Sequence, residues 1–162
     1  MEKAWEVLQR LSGLNRPVLF TELSVSSGPR REIDWRSRLD DWDSTPEREI
    51  VQADYLERFY SMAYSHANCI GVVAWNFSDR RSWMGAPVGF LRKDGSPKPS
   101  YHRLDHLINS KWRTNGSLLS DDHGKVLFSH AFEGRYRIFS GETERLVNHS
   151  KWQPVKATLH CP

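Results

Sequence analysis

The chain has little cysteine, no long apolar run and no marked excess of charge of either sign. Its two cysteines, Cys69 and Cys161, stand far apart. A disulfide framework needs more cysteines at tighter spacing, and no CxxC or paired zinc-ligand pattern occurs. No apolar stretch approaches the ~20 residues that a membrane-spanning helix needs. Lys and Arg total 23 against 20 Asp and Glu, a net charge of +3. Arg30-Arg31 and Arg80-Arg81 are isolated pairs rather than a basic stripe, so nucleic acid is not an expected partner. Internal repeats and low-complexity segments are absent. The opening residues, "MEKAWEVLQRL", lack the continuous apolar core of a signal peptide. Compartment therefore stays unread.

What is present is an ordinary globular composition, 38% hydrophobic and 27% charged, at the length of one domain. Tryptophan is abundant, at seven residues. Indole is a core-filling group first, but its flat face also stacks on sugar rings.

Hydrophobic periodicity sets the order of elements. Trp5, Leu8 and Leu11 recur at helical spacing, and Gly13 is a natural stop. "NRPVLFTEL" reads as a loop feeding a short buried strand. Residues 26 to 46 carry Gly, Pro and many charges without a period, which predicts a long loop; such loops are usually functional or disordered. Trp35 and Trp42 lie in it and are expected to pin it to the body. Thr45 followed by Pro46 is a helix start, and the helix should run through "EREIVQADYLERFYSMAYSH" with Val51, Tyr55, Phe59, Met62 and Ala63 inward. "CIGVVAWNF" gives a second strand, Ile70 to Trp75, whose unalternating β-branched run suits burial on both faces. "SPKPSYHRLDHLI" predicts a third helix with Tyr101, Leu104, Leu107 and Ile108 inward. The order α, β, α, β, α is the grammar of an α/β fold with parallel strands. From about Trp112 the grammar changes. Turn signals at Asp122–Gly124 and Gly141, and alternation of Phe132, Gly134, Tyr136 and Ile138, predict two to four antiparallel strands.

In α/β folds with parallel strands, functional side chains gather at the carboxyl ends of the strands. The first strand ends at Glu22. The second ends in "WNFSDRRSW", which carries Trp75, Asp79 and Trp83. A carboxylate beside indoles and a second acid suits carbohydrate chemistry. His102 and His106 are spaced i, i+4, a metal-binding spacing, but the apolar positions of that helix place both on its solvent side, and no third ligand is evident. "RLDDWDSTPE" lacks the glycine and terminal Glu of a calcium loop. Neither a metal nor a cofactor is expected.

Three motifs, in order, resemble the C-terminal part of glycoside hydrolase family 10, the endo-β-1,4-xylanases. "TEL" in "VLFTELSV" is similar to the strand that carries the family's nucleophile. "VVAWNFSDRRSW" is similar to its last barrel strand and following loop. "GFLRKDGSPKPSYHRL" is similar to the segment leading into its last helix. The resemblance covers residues 1 to about 108. The tail, "WRTNGSLLSDDHGKVLFSHAFEGRYRI", is similar to a small β extension found in some members. Two positions depart from the usual pattern: Ser24, where Asp is common, and Asn76, where Gly is common.

The resemblance implies a (β/α)₈ TIM barrel, of which this chain supplies about strands 7 and 8 with their helices. Residues 1–110 would be a partial catalytic barrel and residues 111–162 a small β-rich extension. It implies a retaining glycosidase acting on β-1,4-xylan or xylo-oligosaccharide, with Glu22 as nucleophile and Trp75, Trp83 and Asp79 as substrate-binding residues. A whole barrel takes about 250 residues. The acid/base Glu of the family lies on strand four, and nothing in this chain matches it, so the missing N-terminal half of the barrel is implied as a partner. Alone, the chain is expected to be inactive and to associate through open strand edges. The alternative is a non-catalytic, vestigial carbohydrate-binding protein. The family usually acts outside the cytoplasm.

Overall fold

The computed structural model describes residues 2–32, 34, 36–150 and 155–159. Trp35 and Cys161 therefore lie outside the described residues. The chain divides into two compact units, Met1–Leu107 and Ile108–Pro162.

The first unit is built as helix, strand, helix, strand, helix. Helix α1 spans Glu2–Ser12, strand β1 Val18–Leu23, helix α2 Pro46–Ser65, strand β2 Cys69–Ala74 and helix α3 Pro99–His106. Helix α3 runs on into a π-turn, Leu107–Lys111. Strands β1 and β2 pair in parallel, and α2 is the crossover between them. Helix α2 starts where the sequence signals it. Thr45 caps it by accepting from Arg48 N, Pro46 follows, and Glu47 and Glu49 complement the helix dipole. At the other end, His66 receives the N–H of Asn68 on Nδ1 (3.2 Å), and its Nε2 lies 3.2 Å from Ser12 Oγ. The end of α1 is thereby tied to the turn that opens β2.

Helix α2 packs on the strand pair through Phe59, whose ring meets Phe20 of β1 edge-on at 4.9 Å. The rest of the inward face differs from the periodic expectation. Glu49, Gln52, Ala53, Leu56, Phe59 and Ala63 are buried, whereas Val51 and Tyr55 are exposed. The helix is turned so that two polar side chains enter the interior, where each finds partners. Gln52 Nε2 donates to Val25 O (2.7 Å), and Ser100 Oγ donates to Gln52 Oε1 (3.1 Å). On α3, Leu104 and the following Leu107 are buried, but Tyr101 and Ile108 are exposed. Leu8 is the buried residue of α1, with Trp5 and Leu11 partly exposed. Leu19, Ile70 and Val73 of the strand pair are exposed as well, so the pair is not covered on both faces.

Glu49 gives the fold an acid-sensitive contact. Burial alone would push its carboxyl upward, but Arg92 (Nε to Oε1, 2.8 Å) and the Ser44 hydroxyl (2.8 Å) outweigh burial and hold it below the usual glutamate value. A carboxyl depressed in the folded state contributes stability above its unfolded pKa of about 4.3. That contribution is lost as pH falls through the lower folded value. We expect the melting temperature of the parent to drop more steeply between about pH 5 and pH 3 than that of Glu49→Gln, which lacks the linked proton. Equal slopes would refute the assignment.

In the second unit, strands β3 (Gly134–Ser140) and β4 (Thr143–His149) form an antiparallel hairpin. Its two-residue turn begins at Gly141, whose φ of +59° is a left-handed position suited to glycine. Tyr136, Ile138, Val147 and His149 form the better-buried face, and Tyr136 Oη donates to Phe132 O. Asp121 organises the turn before the hairpin by accepting from His123 N and Lys125 N on Oδ1. Two strands are described here, the lower end of the expected range.

Candidate active site

Glu22 occupies an irregular position in β1. Phe20 pairs with Val72 and Leu23 with Ala74, so Thr21 and Glu22 together oppose Val73 alone. That is a β-bulge, a device that re-aims side chains and is frequent at barrel rims and beside active sites. Glu22 is exposed. One residue later the two strands end together: Trp75 N donates to Leu23 O at 3.1 Å. Backbone pairing thus brings the segment carrying Glu22 beside the one carrying Trp75. Trp75 is 47% exposed, and Trp83, in a short 3₁₀ turn (Trp83–Gly85), is 59% exposed. Neither indole is a core residue in this structure.

The region 26–45 has no helix or strand among its described residues, and Pro46 already belongs to α2, but the loop is tightly bound. Trp42 is buried and its Nε1 donates to Pro29 O (2.9 Å), a bond that closes the loop on itself rather than onto the body. Ion pairs tie Arg31 to Asp41 and Lys93 to Asp43. His102 and His106 are both exposed on α3, and no three potential metal ligands converge among the described residues.

The glycosyl hydrolase family 10 model matches residues 1–106. The chain belongs to glycosyl hydrolase family 10. Among curated proteins, the anti-sigma-I factor RsgI6 of Acetivibrio thermocellus is 30% identical over 132 residues, covering 82% of this chain and 15% of that protein. This similarity extends beyond the part matched by the family model. Among solved structures, a GH10 xylanase with a bacterial Ig-like domain from termite gut superposes with a TM-score of 0.56 at 19% identity, over 67% of this chain and 26% of that one. Xylanase 10B of Thermotoga petrophila RKU-1, solved in complex with xylobiose, gives 0.52 at 17% identity, over 66% and 31%. The chain thus spans 15% of its curated relative and about a third or less of these xylanases. The fold they share identifies the parallel pair and its helices as part of a barrel.

Within this family 10 chain, Asp79 has an internal role. It is 2% exposed, and its Oδ2 lies 2.6 Å from Nζ of Lys98, which is 0% exposed. Its Oδ1 accepts from Gly89 N at 2.7 Å. Both oxygens are therefore committed inside the protein, where the sequence reading had placed a sugar contact. Burial pushes the Asp79 carboxyl up and the Lys98 amine down, each against the pull of its partner. Lys98 also donates to Ser27 Oγ (2.9 Å), and Ser27 Oγ donates to Pro87 O (2.8 Å). The loops that leave β1 and β2 are thereby joined through one buried ammonium.

Sequence reasoning did not find Ser27, Glu49, Gln52 or Lys98. One signal was available. Lys98 stands between Pro97 and Pro99, which fix the backbone on either side of it. Asn76, the position that departs from the family pattern, has a buried Oδ1 that accepts no hydrogen bond from the described residues.

Proposed function

We propose that this chain supplies the nucleophile side of a retaining glycosidase site acting on β-1,4-xylan, with β1 and β2 as the seventh and eighth strands of the barrel. The observation that carries the reading is Glu22 in a bulge at the carboxyl end of a parallel pair, beside exposed Trp75, in a family 10 chain. Glu22 attacks the anomeric carbon of a xylose unit and forms a glycosyl-enzyme. A second carboxyl, on a residue outside these 162, protonates the departing oxygen and then activates the water that releases the sugar. Retention requires the two carboxyls about 5–5.5 Å apart. Trp75 and Trp83 present indole faces to the sugar rings, while Asp79 positions the Trp83 loop from within. Xylobiose in the Thermotoga petrophila relative supports a xylo-oligosaccharide as ligand. By itself the chain is inactive.

The test is covalent trapping. The full-length protein, incubated with a 2-deoxy-2-fluoro-xyloside bearing a good leaving group, should gain one fluoroxylosyl mass on the peptide containing Glu22. A label on another carboxylate would overturn the assignment.

The match to a protein named an anti-sigma factor favours a second reading, in which the barrel binds xylan without cleaving it. Quenching of tryptophan fluorescence by xylo-oligosaccharides, with no reducing sugar released, would decide for it.

A further inference from the structure

We propose that Arg38 is a positioning residue that, with Leu39, clamps the carbonyls of the residues on either side of Trp83, Ser82 and Met84, and so sets the indole for a sugar ring. The inference rests on the reading of Trp83 as a xylan contact.

Two consecutive residues of the loop that leaves β1 reach the loop that leaves β2. Arg38 Nη1 donates to Ser82 O at 3.0 Å, and Leu39 N donates to Met84 O at 2.9 Å. The accepting carbonyls belong to the residues immediately before and after Trp83. The exposed indole therefore projects from a backbone held on both sides. Arg38 is itself oriented, since its Nε donates to Asp40 Oδ1 at 2.7 Å. Approach on the far side is equally close. A Cβ on Gly85 would lie 2.2 Å from Leu39 O, so only a residue without a side chain lets these backbones meet. Met84 and Gly85 both have left-handed φ, +59° and +74°. Such a conformation in a methionine persists where the surroundings over-determine it. Here the Leu39 bond and the Gly85 contact supply that constraint.

The chemical consequence concerns binding. Stacking on a sugar depends on the indole plane being set beforehand, because ordering a loop on binding subtracts from affinity. Removing Arg38 frees the Ser82 side of the clamp and leaves Glu22 on its own strand untouched. The effect should fall on KM and spare kcat.

The experiment uses the full-length protein labelled with 5-fluorotryptophan. The Trp83 resonance is assigned by Trp83→Phe, and Arg38→Ala is compared with Arg38→Lys, which retains one donor for Ser82 O. The clamp predicts a shifted or exchange-broadened Trp83 line in Arg38→Ala and a parent-like line in Arg38→Lys. It also predicts KM for xylo-oligosaccharides raised about tenfold at nearly constant kcat in Arg38→Ala, with recovery in Arg38→Lys. An unchanged Trp83 line in Arg38→Ala overturns the inference, as does a changed line without a rise in KM. A parent that releases no sugar but shows the line change removes the catalytic reading and leaves the clamp standing. Titration with xylohexaose then replaces KM, with a tenfold weaker Kd as the supporting result and an unchanged Kd as the refuting one.

Discussion

Lys98→Met should lower stability by about 3–5 kcal/mol, because it strands the Asp79 carboxylate in the interior without its cation. In a chain of this size that corresponds to a fall of roughly 10 °C or more in melting temperature. The expectation follows from burial rather than from the ion pair as such. Two charges placed together in the interior gain little over an apolar pair, but one left alone is strongly unfavourable. The double variant Lys98→Met/Asp79→Asn should therefore be more stable than Lys98→Met. The asparagine removes the charge, and its amide oxygen can still accept from Gly89 N. The sign with pH is opposite to that of Glu49. In Lys98→Met the folded pKa of Asp79 is raised further by burial without its cation, so on acidification the folded state takes up this proton before the unfolded state does. Acidification toward the unfolded aspartate value, about 3.9, should then shrink the gap between variant and parent. Thermal melts of the three proteins across pH would settle it. A double variant no better than Lys98→Met would show that the pair is not the energetic unit.

Glu22→Ala in the full-length protein is expected to cut turnover on xylan by about 10⁴-fold or more, in line with removal of other covalent nucleophiles. Substrate binding should change little, since Trp75 and Trp83 remain. Added azide should partly restore release of an activated leaving group, as the space left by the carboxylate admits a small anion that attacks the anomeric carbon. The azide product should carry the opposite anomeric configuration to the normal one, because a single displacement has replaced two. Turnover within about tenfold of the parent would exclude Glu22 as nucleophile.

The sequence was most informative where one physical signal dominated. Thr45-Pro46 opens α2 because a cap and a ring-locked φ agree, and the two β-branched runs pair in parallel as their connection through a helix requires. The strand pattern placed Glu22, Trp75 and Trp83 at strand ends, but only the resemblance to family 10 singled them out as site residues. The inward face of α2 was not legible. Periodicity follows apolar residues, and Gln52 and Glu49 are buried through hydrogen bonds that only the folded loops create. Asp79 shows the same limit. Its place near a strand end fits a surface acid or an internal one equally well, and its partner Lys98 is distant in sequence. The bulge at Thr21 and Glu22 was hidden too, because register depends on both strands at once.

The β1–β2 pairing also governs how fast this unit assembles. Val18 meets Cys69 only after the long loop and the whole of α2 have been brought into place. Such non-local pairing slows folding, since the entropy of closing the crossover is lost before any strand contact compensates it. The β3–β4 hairpin, closed by a two-residue turn, is the local case and can form in roughly 1–10 μs. The later-encoded strands are thus the earlier to pair. The bulged strand that carries Glu22 waits for a partner made some fifty residues after it.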